Sequence, residues 1–119
     1  MKTTDELTAL RREFHMFPET GFHEDRTKAR VAGILRGLGM EVHEGAGVVG
    51  VLRRGSGNRA IALRADMDAL PITETSDHGY VSQYEGVMHA CGHDGHMTML
   101  LGAAAQLAED IGFDGTVVL

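Results

Sequence analysis

Two apolar runs of strand length, GVVGVLRR (47–54) and RAIALRAD (59–66), lie between stretches whose apolar residues recur at helical spacing. A chain that switches between periods of 2 and 3.6 must stack helices on a sheet, which confines it to a layered α/β fold. Leu7, Leu10, Phe14 and Phe17 predict a helix over 4–17, with Thr4 as its cap and Pro18 as its stop. Val31, Ile34, Leu35 and Leu38 predict a second helix over 24–38, ended by Gly39. MEVHE (40–44) reads as a short strand. The GSGN turn (55–58) predicts that the two long strands form a hairpin. Ala60–Leu63 is apolar on both faces, which predicts a central strand. Residues 71–87 lack periodicity and read as loop. A third helix is expected from His93 or Asp94 to Glu109, with Met97, Leu100, Leu101, Ala104 and Ala108 as its stripe; Met97 and Met99 are assigned to core packing. GTVVL (115–119) reads as a last strand. A chain that stops on an apolar strand is expected to be the N-terminal piece of a longer protein.

The segment GVMHACGHDGHMTML (86–100) concentrates the chemistry. It holds the single cysteine, Cys91, with His89, His93, Asp94 and His96. In extended backbone Cys91 and His93 share a face, and thiolate with imidazole suits a divalent transition ion. The start of the third helix favours the thiolate. A buried, inert thiol is the competing reading of Cys91. Asp94 is placed as the N-cap of that helix, with a direct role in the site as its alternative. Asp66 and Asp68 follow the second long strand, where alternation sends both carboxylates to one side and open α/β sheets place their sites. Paired carboxylates need a cation or donors between them. Arg64 is the local countercharge, and loop acids capping exposed N–H groups are the competing reading.

Composition excludes several classes of function. A net charge of -6 and 5% aromatic residues give no footprint for nucleic acid. No apolar run approaches the roughly 20 residues that span a bilayer. The N-terminus, MKTTDELTALRREF, is polar and charged rather than a secretory signal, and one cysteine cannot form an internal disulfide. A cytoplasmic protein is expected. The 119 residues suffice for one small domain.

RREFHMFPETGFHE (11–24), ALRADMDALPITE (62–74) and GVMHACGHDGHMTMLLGAA (86–104) resemble the metal-dependent amidohydrolases of the M20 peptidase family. The similarity is to the subgroup of hippurate hydrolases, N-acyl-amino-acid amidohydrolases and plant auxin-conjugate hydrolases. The resemblance implies a layered α/β/α zinc-peptidase-like catalytic domain with a mixed sheet, of which residues 1–119 are the N-terminal portion. It implies two divalent ions (manganese, zinc, cobalt or nickel), with Cys91 and His93 as the first two ligands. Asp68 matches the aspartate that orients a ligand histidine in the wider family, and Asp66 stands where that histidine would be. Asp94 falls where other branches carry a bridging aspartate; here Cys91 and His93 take that place, and Asp66 and Asp94 are implied to support the ligands from behind. The family's Phe-Gln-Pro-Ala-Glu-Glu segment, its later histidine ligands and its dimerisation domain are not in this chain.

The implied activity is hydrolysis of the amide bond of N-acyl amino acids by a longer, homodimeric or higher oligomeric enzyme, the 119-residue chain alone being inactive. The partner is a small-molecule substrate, not nucleic acid or membrane. Two alternatives remain at this point: a non-catalytic metal-binding or inert product, and a hydrolase that uses Cys91 as nucleophile.

Overall fold

The computed structural model describes residues 3–109 and 112–119. In chain order the elements are α1 (Thr4–Met16), α2 (Asp25–Gly37), β1 (Glu41–Glu44), β2 (Val48–Arg54), β3 (Ala60–Ala62), α3 (His93–Ala108) and β4 (Gly115–Val118). The sheet is mixed, in the order β1-β2-β4-β3. β1 pairs antiparallel with β2, β2 antiparallel with β4, and β3 parallel with β4. No helix among the described residues is long and apolar enough to cross a membrane.

The predicted elements are all present, with corrections at their ends. Thr3, not Thr4, caps α1: its hydroxyl accepts the Glu6 N–H at 3.2 Å, and the Glu6 carboxylate accepts the Thr3 N–H at 3.0 Å. The reciprocal pair needs an acid three residues past the cap, which Thr3 has and Thr4 lacks. Asp94 is not the cap of α3. Gly92 takes that place at φ 86°, and the Asp94 side chain turns inward. Met97 is in the core, whereas Met99 is exposed.

The hairpin prediction fails. β4 lies between β2 and β3, with Arg54 opposite Gly115 and Ala60 opposite Thr116. The GSGN loop does not turn β2 onto β3. Its Ser56 and Gly57 N–H groups donate to one oxygen of Asp114, each at 2.8 Å, which fastens the loop to the start of β4. β3 is also shorter than expected and lies at the edge. Leu63 N–H makes one more bond to the Val118 carbonyl, at 2.8 Å, and the segment then leaves the ladder. Ile61 is consequently 59% exposed. Apolar residues on both faces predict a central strand, whereas among the described residues β3 stands at the edge of the sheet.

Alternation in the sheet defines the core. Gly50 and Leu52 of β2, with Val117 and Leu119 of the last segment, are buried, while Val49 and Arg53 face solvent. The side chains of Leu52, Val117 and Leu119 form one cluster with Leu10 and Phe14 of α1, Val31 and Leu35 of α2, and Met97, Leu101 and Ala104 of α3. Gly50 packs closely here: a β-carbon would meet the end of the Leu35 side chain at 3.0 Å, and Leu35 would have to shift. The long connection over 63–92 has no helix or strand, as expected for 71–87, yet it is fastened. Leu70 bridges Met88, Ala69 bridges Thr20, and Gln83 N–H donates to the Met16 carbonyl at 2.8 Å. These ties bring residues 66–70, the end of α1 and the start of α3 together.

Candidate metal centre

His93 occupies the first position of α3. Its Nδ1 lies 2.8 Å from the Asp68 carbonyl oxygen and 3.1 Å from Asp68 Oδ1. Both partners accept, so Nδ1 carries a proton, and in the neutral ring Nε2 is the atom that presents a lone pair. Nε2 has no hydrogen bond among the described residues. A histidine held through one nitrogen by a carboxylate or carbonyl, with the other left open, is the arrangement metal-ligating imidazoles adopt. Cys91, two residues earlier, is a free and exposed thiol, so the buried, inert reading does not apply to it. His96, one turn on, is exposed, with its ring 5.8 Å from that of His93. The donor set of thiol and open imidazole suits a borderline divalent ion.

The two aspartates part company. Asp68 reaches His93, whereas Asp66 pairs with Arg64 at 2.7 Å on the surface. The expected alternation fails because 63–68 is not in a strand. Of the predicted residues, the structure joins Asp68 to His93 and leaves Asp66 outside that contact.

Behind this open face lies a set of residues that sequence spacing did not reveal. Asp94 is 2% exposed; its Oδ2 accepts from His15 Nδ1 at 2.8 Å and Arg11 Nε at 3.0 Å, and its Oδ1 accepts the Gly95 N–H at 2.9 Å. The other nitrogen of His15 faces both oxygens of Glu74, at 3.0 and 3.1 Å. Glu74 also accepts from the Ser82 N–H at 2.6 Å and from His78 Nε2 at 3.0 Å. Burial alone would raise the Glu74 carboxyl, but hydrogen bonds from His15, the Ser82 backbone and Ser76 outweigh it and hold the pKa at about 2. Tyr80 stacks on His78 at 3.9 Å, and Arg12 lies 4.6 Å above the same ring.

Ligand atoms of His15, Glu74 and His78 lie within 4.8 Å of one another, close enough to share an ion. The hydrogen bonds argue otherwise. His78 Nδ1 accepts the Tyr80 N–H at 3.3 Å, so its Nε2 carries the proton that points at Glu74. A ring in that tautomer offers Nε2 as donor, not as ligand. The three groups form a hydrogen-bonded cluster that clamps the first turn of α3 to α1 and to the 74–82 loop. His89 differs from all of these. It is 4% exposed, and neither of its nitrogens has a partner among the described residues. Burial pushes its pKa down, which keeps the ring neutral.

Residues 62–119, which contain Asp66, Asp68, Cys91, His93 and Asp94, match the family described as Peptidase family M20/M25/M40. The chain belongs to the M20 family. It is 49% identical over 117 residues to the hippurate hydrolase of Campylobacter jejuni, covering 96% of this chain and 30% of that protein. It is 49% identical over 110 residues to thermostable carboxypeptidase 2 of Saccharolobus solfataricus, covering 89% of this chain and 28% of the relative. The fold superposes on the crystal structure of the Bacillus subtilis YXEP protein, described as a dinuclear metal-binding peptidase of the M20 family, with a TM-score of 0.88. The identity there is 34%, over 96% of this chain and 33% of that one. This M20 chain thus spans under a third of the length of the curated relatives it matches.

Proposed function

We propose that the protein carrying this chain hydrolyses the amide bond of N-acyl amino acids at a centre of two divalent ions, and that residues 1–119 supply the N-terminal portion of its catalytic domain. The observation that carries this reading is the Asp68–His93 contact, which leaves His93 Nε2 open two residues along the chain from the exposed Cys91. Cys91 and His93 are the proposed ligands. Asp68 fixes the ring of His93, and Asp94 fixes the helix turn from which His93 projects. Bound manganese, zinc, cobalt or nickel would polarise the amide carbonyl and make a coordinated water acidic.

The protons are proposed to move elsewhere. Glu74, with its pKa at about 2, is too weak a base, and Asp94 is occupied by His15 and Arg11. The general base is proposed to come from the part of the relatives that this chain does not span, and the 119 residues alone are proposed to be inactive. Hippurate-like substrates fit the similarity to a hippurate hydrolase. The decisive experiment assays hydrolysis of N-benzoylglycine by the full-length protein and by residues 1–119, with and without chelator, with metal content measured alongside. The long protein is expected to lose activity to the chelator and the short one to show none. Chelator-insensitive turnover would discard the metal reading.

The competing reading makes Cys91 a nucleophile and His93, oriented by Asp68, its base. Alkylation separates the two: bound metal shields a ligand thiol, whereas a nucleophile reacts at the same rate after metal is removed.

A further inference from the structure

The turn after α1 carries a residue in a conformation that costs it stability. His23 N–H donates to the Thr20 carbonyl at 3.0 Å and closes a four-residue turn, TGFH, over 20–23. Phe22 stands at its third position with φ 65°, a backbone that ordinarily selects glycine or asparagine because a β-carbon crowds the following carbonyl. Phe22 is also 88% exposed, more than any other large apolar side chain among the described residues. A strained backbone and an aromatic ring in water are each unfavourable, and strain of this kind collects at sites of function.

The turn is fastened to the candidate centre. Ala69 N–H donates to the Glu19 carbonyl at 2.8 Å, and Thr20 bridges Ala69. A β-carbon placed on Gly21 would lie 3.9 Å from Asp68 Cβ. Asp68 is the residue that holds His93. Phe22, Asp66 and Asp68 line one cavity of about 520 Å³, whose further walls include Leu63, Met97 and Leu100. Its size falls within the roughly 300–1,000 Å³ of small-molecule sites, and it combines apolar walls with a few polar groups as such sites do.

We infer that Phe22 is a specificity-determining residue, an apolar contact for the acyl group of the substrate that favours aromatic acyl groups over acetyl. The inference deepens the amidase reading and rests on it. The hydrogen-bonded turn carries Phe22 on the wall of the cavity that Asp68 also lines, so its backbone has little freedom left to lose on binding. An aromatic acyl group can pack on the ring, whereas acetyl is too small to cover it.

The test compares N-benzoylglycine with N-acetylglycine as substrates of the full-length protein and of its Phe22→Ala, Phe22→Gly and Phe22→Leu variants. The ratio of the two kcat/KM values, benzoyl over acetyl, is expected to fall about tenfold in the Ala and Gly variants and by less in the Leu variant. The Gly variant relieves the backbone, so its Tm should hold or rise while the ratio falls. A ratio unchanged in all three variants, with acetyl hydrolysis intact, would overturn the inference alone. Equal loss for both substrates with a falling Tm would overturn it too, because the ring would then be packing against the protein. If the parent hydrolyses neither substrate in a chelator-sensitive way, the amidase reading fails and takes the inference with it.

Discussion

The first turn of α3 has two sides that differ in how their polar groups are satisfied. On the inner side Asp94, His15, Glu74 and His78 are tied to one another and to their neighbours by hydrogen bonds and ion pairs of 2.6–3.1 Å. On the outer side the Cys91 thiol is exposed and His93 Nε2 has no partner among the described residues. The contrast teaches that a set of potential ligands is not a site until its tautomers are read. The inner set has three atoms close enough to share an ion, yet its protons already fill the gaps between them. The outer set has fewer groups in contact, yet it keeps the lone pairs that an ion needs.

Breaking the inner side should give the largest effect. Asp94→Ala in the full-length protein leaves His15 and Arg11 facing an empty position, and removing one partner of a buried ion pair costs about 3–5 kcal/mol. Denaturant unfolding measures this; a loss under about 1 kcal/mol would mean that the inner cluster does not hold α3 in place.

Substitutions on the outer side should separate metal binding from stability. Asp68→Ala removes one of the two acceptors on His93 Nδ1 and leaves the backbone carbonyl. Metal affinity should fall about 10–100-fold, towards the lower end, with unfolding of the metal-free protein little changed. Cys91→Ser should weaken metal further at equally small cost to the metal-free fold, because the side chain is exposed. Unchanged metal content in both variants would remove the outer side from consideration.

Acid sharpens the comparison. The Glu74 pKa is lowered in the folded state, so the unfolded chain takes up the proton first as pH falls. The stability that Glu74 provides is complete above about pH 4.5 and drains away as pH falls towards 2. Acid titration of the parent and of Glu74→Gln should differ in that window, and identical profiles would contradict the charged cluster. The smallest effect is expected for Arg64→Ala. The exposed pair with Asp66 is worth about 0–1 kcal/mol, and metal content should not change.

The outer side was legible because its members are close in sequence. Cys91 and His93 stand two residues apart, and a reading of residue types reaches both. The inner side was not: His15 lies 79 residues from Asp94 and 59 from Glu74. Both fall inside the stretches that carry the family resemblance, but no spacing rule joins such distant positions. Asp94 was assigned to the cap of α3 for the same reason. Its local N–H groups were visible, and the buried histidine that draws its carboxylate inward was not. The hairpin between β2 and β3 failed in parallel, since GSGN is a good turn signal and Asp114, which takes its N–H groups, is 58 residues from Ser56.

Sequence alone determined what local periodicity and short spacing can encode. It set the existence and type of all seven elements, the apolar faces of α1 and α2, and the concentration of ligand-type side chains at the start of α3. Tertiary structure decided everything that depends on contacts closed over long loops: the place of β4 between β2 and β3, the edge position of β3, the parting of Asp66 from Asp68, and the tautomers of His93 and His78. The physical reason is that propensity and pattern act over a few residues. Which donor meets which acceptor is settled only when the whole core is packed and every buried polar group must find a partner.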